Sequence, residues 1–220
     1  MSKNVDGLFP YNSSPLNSGT YLNPSNEGFA ESLRSEIYVD KSGLISYTNH
    51  ILKTKQKFVC VSRPRRFGKT MAAEMLVAYY SLGCDSNEMF SNLNIAKAKS
   101  FSEHMNIYNV IFLNMQKFLS KTKDVNGMID SIKAVLLDDI NEQYPELYER
   151  VNLKDFNTIL NTVYKQTQSP FIIVIDEWDC IFREYKTDVS MQKDYLKFLR
   201  TVLKDENYVA LAYMTGILPI

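Results

Sequence analysis

Short apolar runs alternate with segments of helical periodicity through most of the chain. Four runs rich in branched and aromatic residues predict β-strands at 58–62, 110–113, 171–175 and 208–214. Between them, apolar positions recur every three to four residues and predict helices at 71–80, 125–140, 153–164 and 192–203. Strands that are apolar on both faces and separated by helices indicate a mainly parallel sheet covered on both sides. The sequence therefore predicts an α/β fold.

The N-terminal part of the chain is less regular. Residues 1–26 are rich in Ser, Asn and Pro and lack apolar periodicity, which predicts a flexible or loosely docked arm. We expect residues 27–220 to form one domain, beginning with short helices at 29–33 and 44–52. Asp40 and Ser42 precede the second helix and are expected to cap it.

Composition narrows the range of functions. The chain has 220 residues, with 25 basic and 25 acidic side chains, so its net charge does not favour nucleic acid or an anionic membrane. The longest apolar run, 171–175, is far too short to span a bilayer. The N-terminus lacks the basic start and apolar stretch of a secretory signal, which predicts a cytoplasmic protein. The three cysteines lack CxxC spacing and are expected to be reduced.

The loop at 63–70, with the sequence RPRRFGKT, matches the second half of the phosphate-binding pattern GxxxxGK[ST], with Arg63 at the first glycine. It follows a predicted strand and opens a predicted helix, where backbone amides and the helix dipole favour phosphate. We expect Gly68 to allow close backbone approach, Lys69 to reach the β- and γ-phosphates, and the Thr70 hydroxyl to bind Mg²⁺. The alternative is an ordinary strand-to-helix turn with a solvated lysine.

Polar residues follow the predicted strands. Asp176 and Glu177 end the third one, where ligands bind in open α/β sheets. Asp176 is the candidate magnesium residue, and Glu177 is the candidate that orients and deprotonates water. Thr215, after the last strand, is the candidate sensor of the γ-phosphate. Asn114 fits either a functional role or that of a turn residue.

Other charged residues have competing interpretations. Arg63, Arg65 and Arg66 beside Phe67 fit a local role in phosphate binding or loop packing better than nucleic-acid binding. Asp179 fits equally a site residue or a helix cap. Two further arginines, Arg183 and Arg200, are candidates for stabilising phosphoryl transfer, but surface positions on helices are the favoured interpretation.

Four segments together resemble a known family. They are IYVDKS at 37–42, SRPRRFGKT at 62–70, IDEWD at 175–179 and MTGI at 214–217. These segments resemble the bacterial predicted AAA-ATPase-like family, in which arginine also replaces the first glycine of the loop, and the match runs from about Tyr21 to the last residue.

The resemblance implies a three-layer P-loop NTPase fold of the additional-strand, AAA-like class. In that class the sensor strand (208–214) lies between the Walker A strand (58–62) and the Walker B strand (171–175). It also implies ATP and Mg²⁺ as cofactors. We expect the nucleotide to contact Arg65, Arg66, Phe67, Gly68, Lys69, Thr70 and Met71.

Members of the family usually continue into a lid, and often into a domain resembling a PD-(D/E)XK nuclease. We therefore expect this chain to be the N-terminal part of a longer protein, ending after the sensor strand. If so, the strand at 58–62 is an exposed apolar edge that favours self-association.

The expected function is ATP binding and Mg²⁺-dependent hydrolysis that switches an attached domain or partner. One alternative is a module that binds ATP without hydrolysing it and acts through protein contacts. The other is a nucleic-acid-associated protein that acts together with the missing C-terminal domain.

Overall fold

Four parallel strands form the centre of the molecule, in the order β1-β4-β3-β2. Their bounds are β1 (Phe58–Ser62), β2 (Asn109–Asn114), β3 (Phe171–Asp176) and β4 (Val209–Gly216). The structure, a computed structural model, describes residues 18–147 and 155–218. The observed order confirms that the last predicted strand lies between the first and the third.

Helices follow or precede each strand. They are α1 (Glu27–Leu33), α2 (Gly43–Ile51), α3 (Lys69–Tyr80), α4 (Asn87–Phe90), α5 (Met115–Leu119), α6 (Val125–Gln143), α7 (Phe156–Thr167), α8 (Cys180–Glu184) and α9 (Val189–Leu203). Two 3₁₀ helices span Asn94–Lys97 and Pro145–Leu147.

The predicted helices are present, with shifts at their ends. The helix expected at 153–164 begins at Phe156, where the Asp155 side chain accepts a hydrogen bond from the amide of Thr158. Residues 153 and 154 lie outside the described part of the chain. The helix expected at 192 begins at Val189, because the Asp188 side chain caps it.

The sheet separates two hydrophobic cores. Alternate residues of β3 point to opposite faces, as the period of a strand requires. Ile173 and Ile175 pack into a core with residues of α6, α7 and α9, whereas Ile172 and Val174 pack into a second core with residues of α3. All residues of β3 are buried. This arrangement confirms the three-layer α/β architecture with a parallel sheet.

Part of the expected N-terminal arm is docked on the sheet. The backbone amides of Tyr21 and Leu22 donate to the carboxylate of Asp139 at 2.6 and 2.7 Å, and Leu22 is fully buried. Leu22 also forms an antiparallel bridge with Ile111 of β2. Of the two alternatives expected for the arm, flexible or loosely docked, residues 21–23 agree with docking, because they bind backbone groups at the edge of β2. Residues 1–17 lie outside the described ranges.

The residues expected to cap α2 stabilise another element. Neither Asp40 nor Ser42 makes a side-chain cap on α2. Instead, the Asp40 carboxylate accepts from the amide of Asn94 at 2.7 Å, and the Ser42 hydroxyl accepts from the amide of Ile95 at 3.0 Å. The two side chains therefore fix the start of the 3₁₀ helix Asn94–Lys97. The expectation that these side chains cap α2 was wrong, because the backbone amides that they bind lie 54 and 53 residues further along the chain.

Candidate functional site

The loop between β1 and α3 has a backbone shape that depends on glycine. Gly68 has φ +69°, a left-handed conformation, and α3 begins directly after it. A Cβ atom at Gly68 would lie 2.5 Å from Nζ of Lys41, whose ammonium donates to the carbonyl of Phe67 at 2.8 Å. The amides of the first turn of α3 lack helical partners and are free to bind an anion.

The side chain of Lys69 points back towards the start of this loop. It is buried, and Nζ donates to the carbonyl oxygens of Arg63 and Pro64 at 3.0 and 3.1 Å. The ammonium group therefore lies inside the curve of the loop, held by neutral acceptors rather than by a carboxylate. An anion entering the loop would meet an ammonium whose charge is not paired by an acid in the described contacts.

Asp176 lies at the centre of a cluster at the carboxyl end of the sheet. It is fully buried. One carboxylate oxygen accepts from the hydroxyl of Thr70 at 2.8 Å and from the side-chain amide of Asn114 at 3.2 Å. The other accepts from the hydroxyl of Thr215 at 2.6 Å and from the backbone amide of Glu177 at 3.0 Å. The carboxylate is therefore held by donors from both neighbouring strands and from the first turn of α3.

This cluster settles where three of the predicted residues lie. Thr70, Asp176 and Thr215 meet, although they are far apart in sequence, because β1, β3 and β4 are parallel and their carboxyl ends lie at the same edge of the sheet. Thr215 is fully buried behind Asp176, so its hydroxyl contacts the carboxylate. Asn114 also donates to Asp176 and caps α5 by accepting from the backbone amide of Lys117, which agrees with its interpretation as a turn residue; its functional role stays a prediction.

The next acid belongs to an ionic cluster. Glu177 has φ +55°, and its carboxylate forms an ion pair with the guanidinium of Arg183. Nε of Arg183 lies 3.4 Å from the carboxylate of Asp179, which is itself fully buried. The other oxygen of Asp179 accepts from the amides of Ile217 and Leu218 at 2.8 and 2.6 Å. Asp179 therefore anchors the chain after β4 and pairs with an arginine of α8.

The loop, Asn114, Glu177 and Arg183 lie around a cleft of about 680 Å³, whereas the fully buried Asp176, Asp179 and Thr215 are not part of its lining. Its lining consists of Arg65, Arg66, Gly68, Lys69, Thr70, Met71, Asn114, Gln116, Lys117, Glu177, Arg183 and Glu184. The cleft thus brings together the predicted loop residues and Glu177. Phe67 is not part of the lining, and its ring is exposed.

Arg183 was expected at a surface position on a helix, but it lies in the cleft with little exposure. Its spacing of six residues from Glu177 carries no recognisable signal, because the turn between β3 and α8 decides their contact. Arg200, by contrast, is exposed on α9 and does not line the cleft.

The buried charge of Asp176 affects nearby groups. Burial raises the pKa of Glu74, one turn along α3 from Thr70, and the Asp176 carboxylate raises it further. Burial and the same carboxylate raise the pKa of Tyr213 to about 12. Both shifts favour the uncharged form of the group, first because burial removes its charged form from water and second because the Asp176 carboxylate repels another negative charge.

Within the described ranges, no group of three or more His, Cys, Asp or Glu side chains is arranged to hold a metal ion by itself. Nor is any helix in those ranges long and apolar enough to cross a membrane.

A family model described as "Predicted AAA-ATPase" matches residues 29–220, which is most of the chain. The chain belongs to the AAA-ATPase-like family. The match begins a little after Tyr21, where the resemblance was expected to start, and it includes the loop, β3 and β4. No curated protein matches the chain closely enough to count as a relative. Membership of the AAA-ATPase-like family, together with the parallel sheet, indicates a P-loop NTPase-like fold and an ATP-related function.

Proposed function

We propose that this protein binds ATP with Mg²⁺ and hydrolyses it, and that hydrolysis switches an attached domain or partner. The observation that carries the proposal is the contact between the Thr70 hydroxyl and the Asp176 carboxylate, 2.8 Å apart, beside the loop that Lys69 covers. This contact joins the expected phosphate-binding loop to the acid of β3. The loop residues and Glu177, the neighbour of that acid, line one cleft in which basic side chains outnumber acidic ones.

In this proposal the loop binds the phosphates. The free amides at the start of α3 and the ammonium of Lys69 would neutralise the β- and γ-phosphates. Arg65 and Arg66 line the same cleft and would contribute further positive charge. Met71, which lines the cleft, would contact the rest of the nucleotide, and the exposed ring of Phe67 would reach it from outside the cleft.

The donor set fits magnesium. Mg²⁺ prefers oxygen ligands and is usually held by one or two protein groups together with substrate phosphates. The Thr70 hydroxyl, at the cleft, and the buried Asp176 carboxylate that it contacts are neighbouring oxygen ligands, and they would hold the ion. When bound, it supplies charge that stabilises the phosphates during transfer.

Glu177 would then align the attacking water and accept its proton. Thr215 donates to Asp176, so we propose that it responds to the γ-phosphate by holding that carboxylate in position. Catalysis would rest mainly on positioning and on charge, as in other phosphoryl transfers.

Phosphate release from ATP tests the proposal. With Mg²⁺, the wild-type protein should release phosphate, and Lys69→Ala should abolish nucleotide binding. Glu177→Gln should bind ATP without turning it over. The matched control is Lys55→Ala, an exposed lysine outside the cleft, which should behave as wild type. Wild-type affinity for ATP in Lys69→Ala would contradict the proposal.

One observation favours a second candidate function. The carboxylate of Glu177 is paired with Arg183, so in this arrangement it is not free to contact a water molecule. A module that binds ATP only as a regulatory ligand would show this arrangement too. Nucleotide binding without phosphate release by the wild-type protein would support that function.

A further inference from the structure

Arg183 forms an ion pair with the carboxylate of Glu177, the group that would align water for hydrolysis. In the described residues, Arg183 is the hydrogen-bond partner of the Glu177 carboxylate. Both side chains are mostly buried, with 22% and 14% of their surfaces exposed. Solvent therefore screens this pair less than it would a surface ion pair. In this state Glu177 is not free to align water.

Arg183 is held so that only its outer end needs to move. Its Nε lies 3.4 Å from the fully buried carboxylate of Asp179, which is fixed by two backbone amides after β4. Its outer nitrogen reaches Glu177 and lies 3.4 Å from the amide oxygen of Gln116. Asp179 thus anchors the inner part of the guanidinium, while the outer nitrogen faces the cleft that both residues line.

The charged groups around Arg183 would allow a phosphate to replace Glu177 as its partner. The groups that face it are Glu177, Asp179 and Gln116. Only Glu177 among these acids lies at the cleft. A phosphate group is a strong acceptor for an arginine and competes directly with a carboxylate. If Glu177 aligns water at the third phosphate, then the arginine that contacts Glu177 lies next to that phosphate as well.

We propose that Arg183 exchanges Glu177 for the terminal phosphate of a bound nucleoside triphosphate. Arg183 would thereby bind the third phosphate and free Glu177 only when that phosphate is present, so the site would prefer a triphosphate over a diphosphate. The inference rests on the proposed function, because it needs the nucleotide in this cleft. It adds a link between the two events, because binding of a nucleoside triphosphate would release the Glu177 carboxylate from Arg183.

Binding measurements without hydrolysis test the exchange. The ligands are ADP and the β,γ-imido analogue of ATP, each with Mg²⁺, titrated by calorimetry. Arg183→Gln should weaken binding of the analogue about tenfold or more, the range expected for a charged hydrogen bond, and should change ADP binding less than about twofold. Arg200→Gln makes the same chemical change on the exposed face of α9 and should change neither.

A second variant makes the test independent of folding defects. Glu177→Gln removes the charge that competes for Arg183, so it should tighten binding of the analogue and leave ADP binding unchanged. In the double variant this gain should vanish, because the arginine that produces it is absent. A merely structural role for Arg183 would not produce this coupling. Arg183→Lys, which keeps the charge, should retain part of the preference for the analogue.

The outcomes separate the inference from the proposed function. If the wild-type protein binds ADP and the analogue, but Arg183→Gln weakens both equally or neither, the exchange is refuted and nucleotide binding stands. A gain from Glu177→Gln that persists without Arg183 also refutes it. If the wild-type protein binds neither nucleotide, the proposed function fails and the exchange fails with it.

Discussion

Replacing Thr215 with valine tests the buried cluster that positions Asp176. Valine has nearly the shape of threonine, so the change removes the hydroxyl and leaves the packing almost intact. Thr215 is fully buried, and its hydroxyl donates to Asp176 at 2.6 Å. The carboxylate oxygen that loses this donor keeps the backbone amide of Glu177 at 3.0 Å. The variant therefore removes one of the two hydrogen bonds that this buried carboxylate oxygen accepts.

The expected loss follows from the type of bond. A hydrogen bond to a charged group contributes about 1.5–3 kcal/mol to the free energy of unfolding. Because one donor remains on the same oxygen, we expect a loss of about 2 kcal/mol. For a domain of this size, each kcal/mol lowers the melting temperature by roughly 2–4 °C, so the shift should be about 4–8 °C.

Urea and thermal unfolding of the variant measure this loss. Thr215→Ser keeps the hydroxyl and should lose about 1 kcal/mol, the cost of a missing buried methyl group. In an Asp176→Asn background the cost of Thr215→Val should fall to about 1 kcal/mol, because the bond is then between neutral groups. Thr215→Val with wild-type stability, or with an unchanged loss in that background, would refute the reasoning that Thr215 stabilises the Asp176 charge.

Two other features give further expectations. Among the described residues, β1 pairs only with β4, and Phe58 is 44% exposed at this edge of the sheet. We therefore expect the protein to self-associate as its concentration rises, and Phe58→Lys to reduce this association, as measured by sedimentation. A wild-type protein that is monomeric at all concentrations would contradict this expectation. Burial, with a contribution from Asp179, raises the pKa of Cys60 to about 11. The thiol therefore stays protonated at pH 8, so iodoacetamide should modify it more slowly in the native than in the unfolded protein, and faster as the pH rises towards 11. Equal rates at pH 8 would contradict this pKa.

Much of the sheet and the loop was predictable from the sequence. The four strands are apolar runs between helical patterns, and periodicity identifies such segments because both faces of each strand are buried. The positions of Lys69 and Thr70 followed from the glycine before a helix. The meeting of Asp176 with Thr70 followed from the rule that parallel strands end at one edge.

The remaining contacts join residues whose spacing carries no pattern. Arg183 looked like a surface arginine, and only the left-handed turn at Glu177 and the buried Asp179 bring it into the cleft. Asp40 binds the amide of Asn94, 54 residues away. A capping preference describes a residue and its near neighbours, so it does not reveal a donor on a distant segment.

The central claim is that Lys69, Thr70 and Asp176 form one site for a triphosphate and its metal. The most direct test is calorimetric titration of ATP, with and without Mg²⁺, into the wild-type protein, Lys69→Ala and Asp176→Asn. We predict that the wild-type protein binds ATP, that Lys69→Ala does not, and that Asp176→Asn loses the effect of Mg²⁺ on affinity. ATP affinity that is the same in all three proteins, with and without Mg²⁺, would contradict the claim.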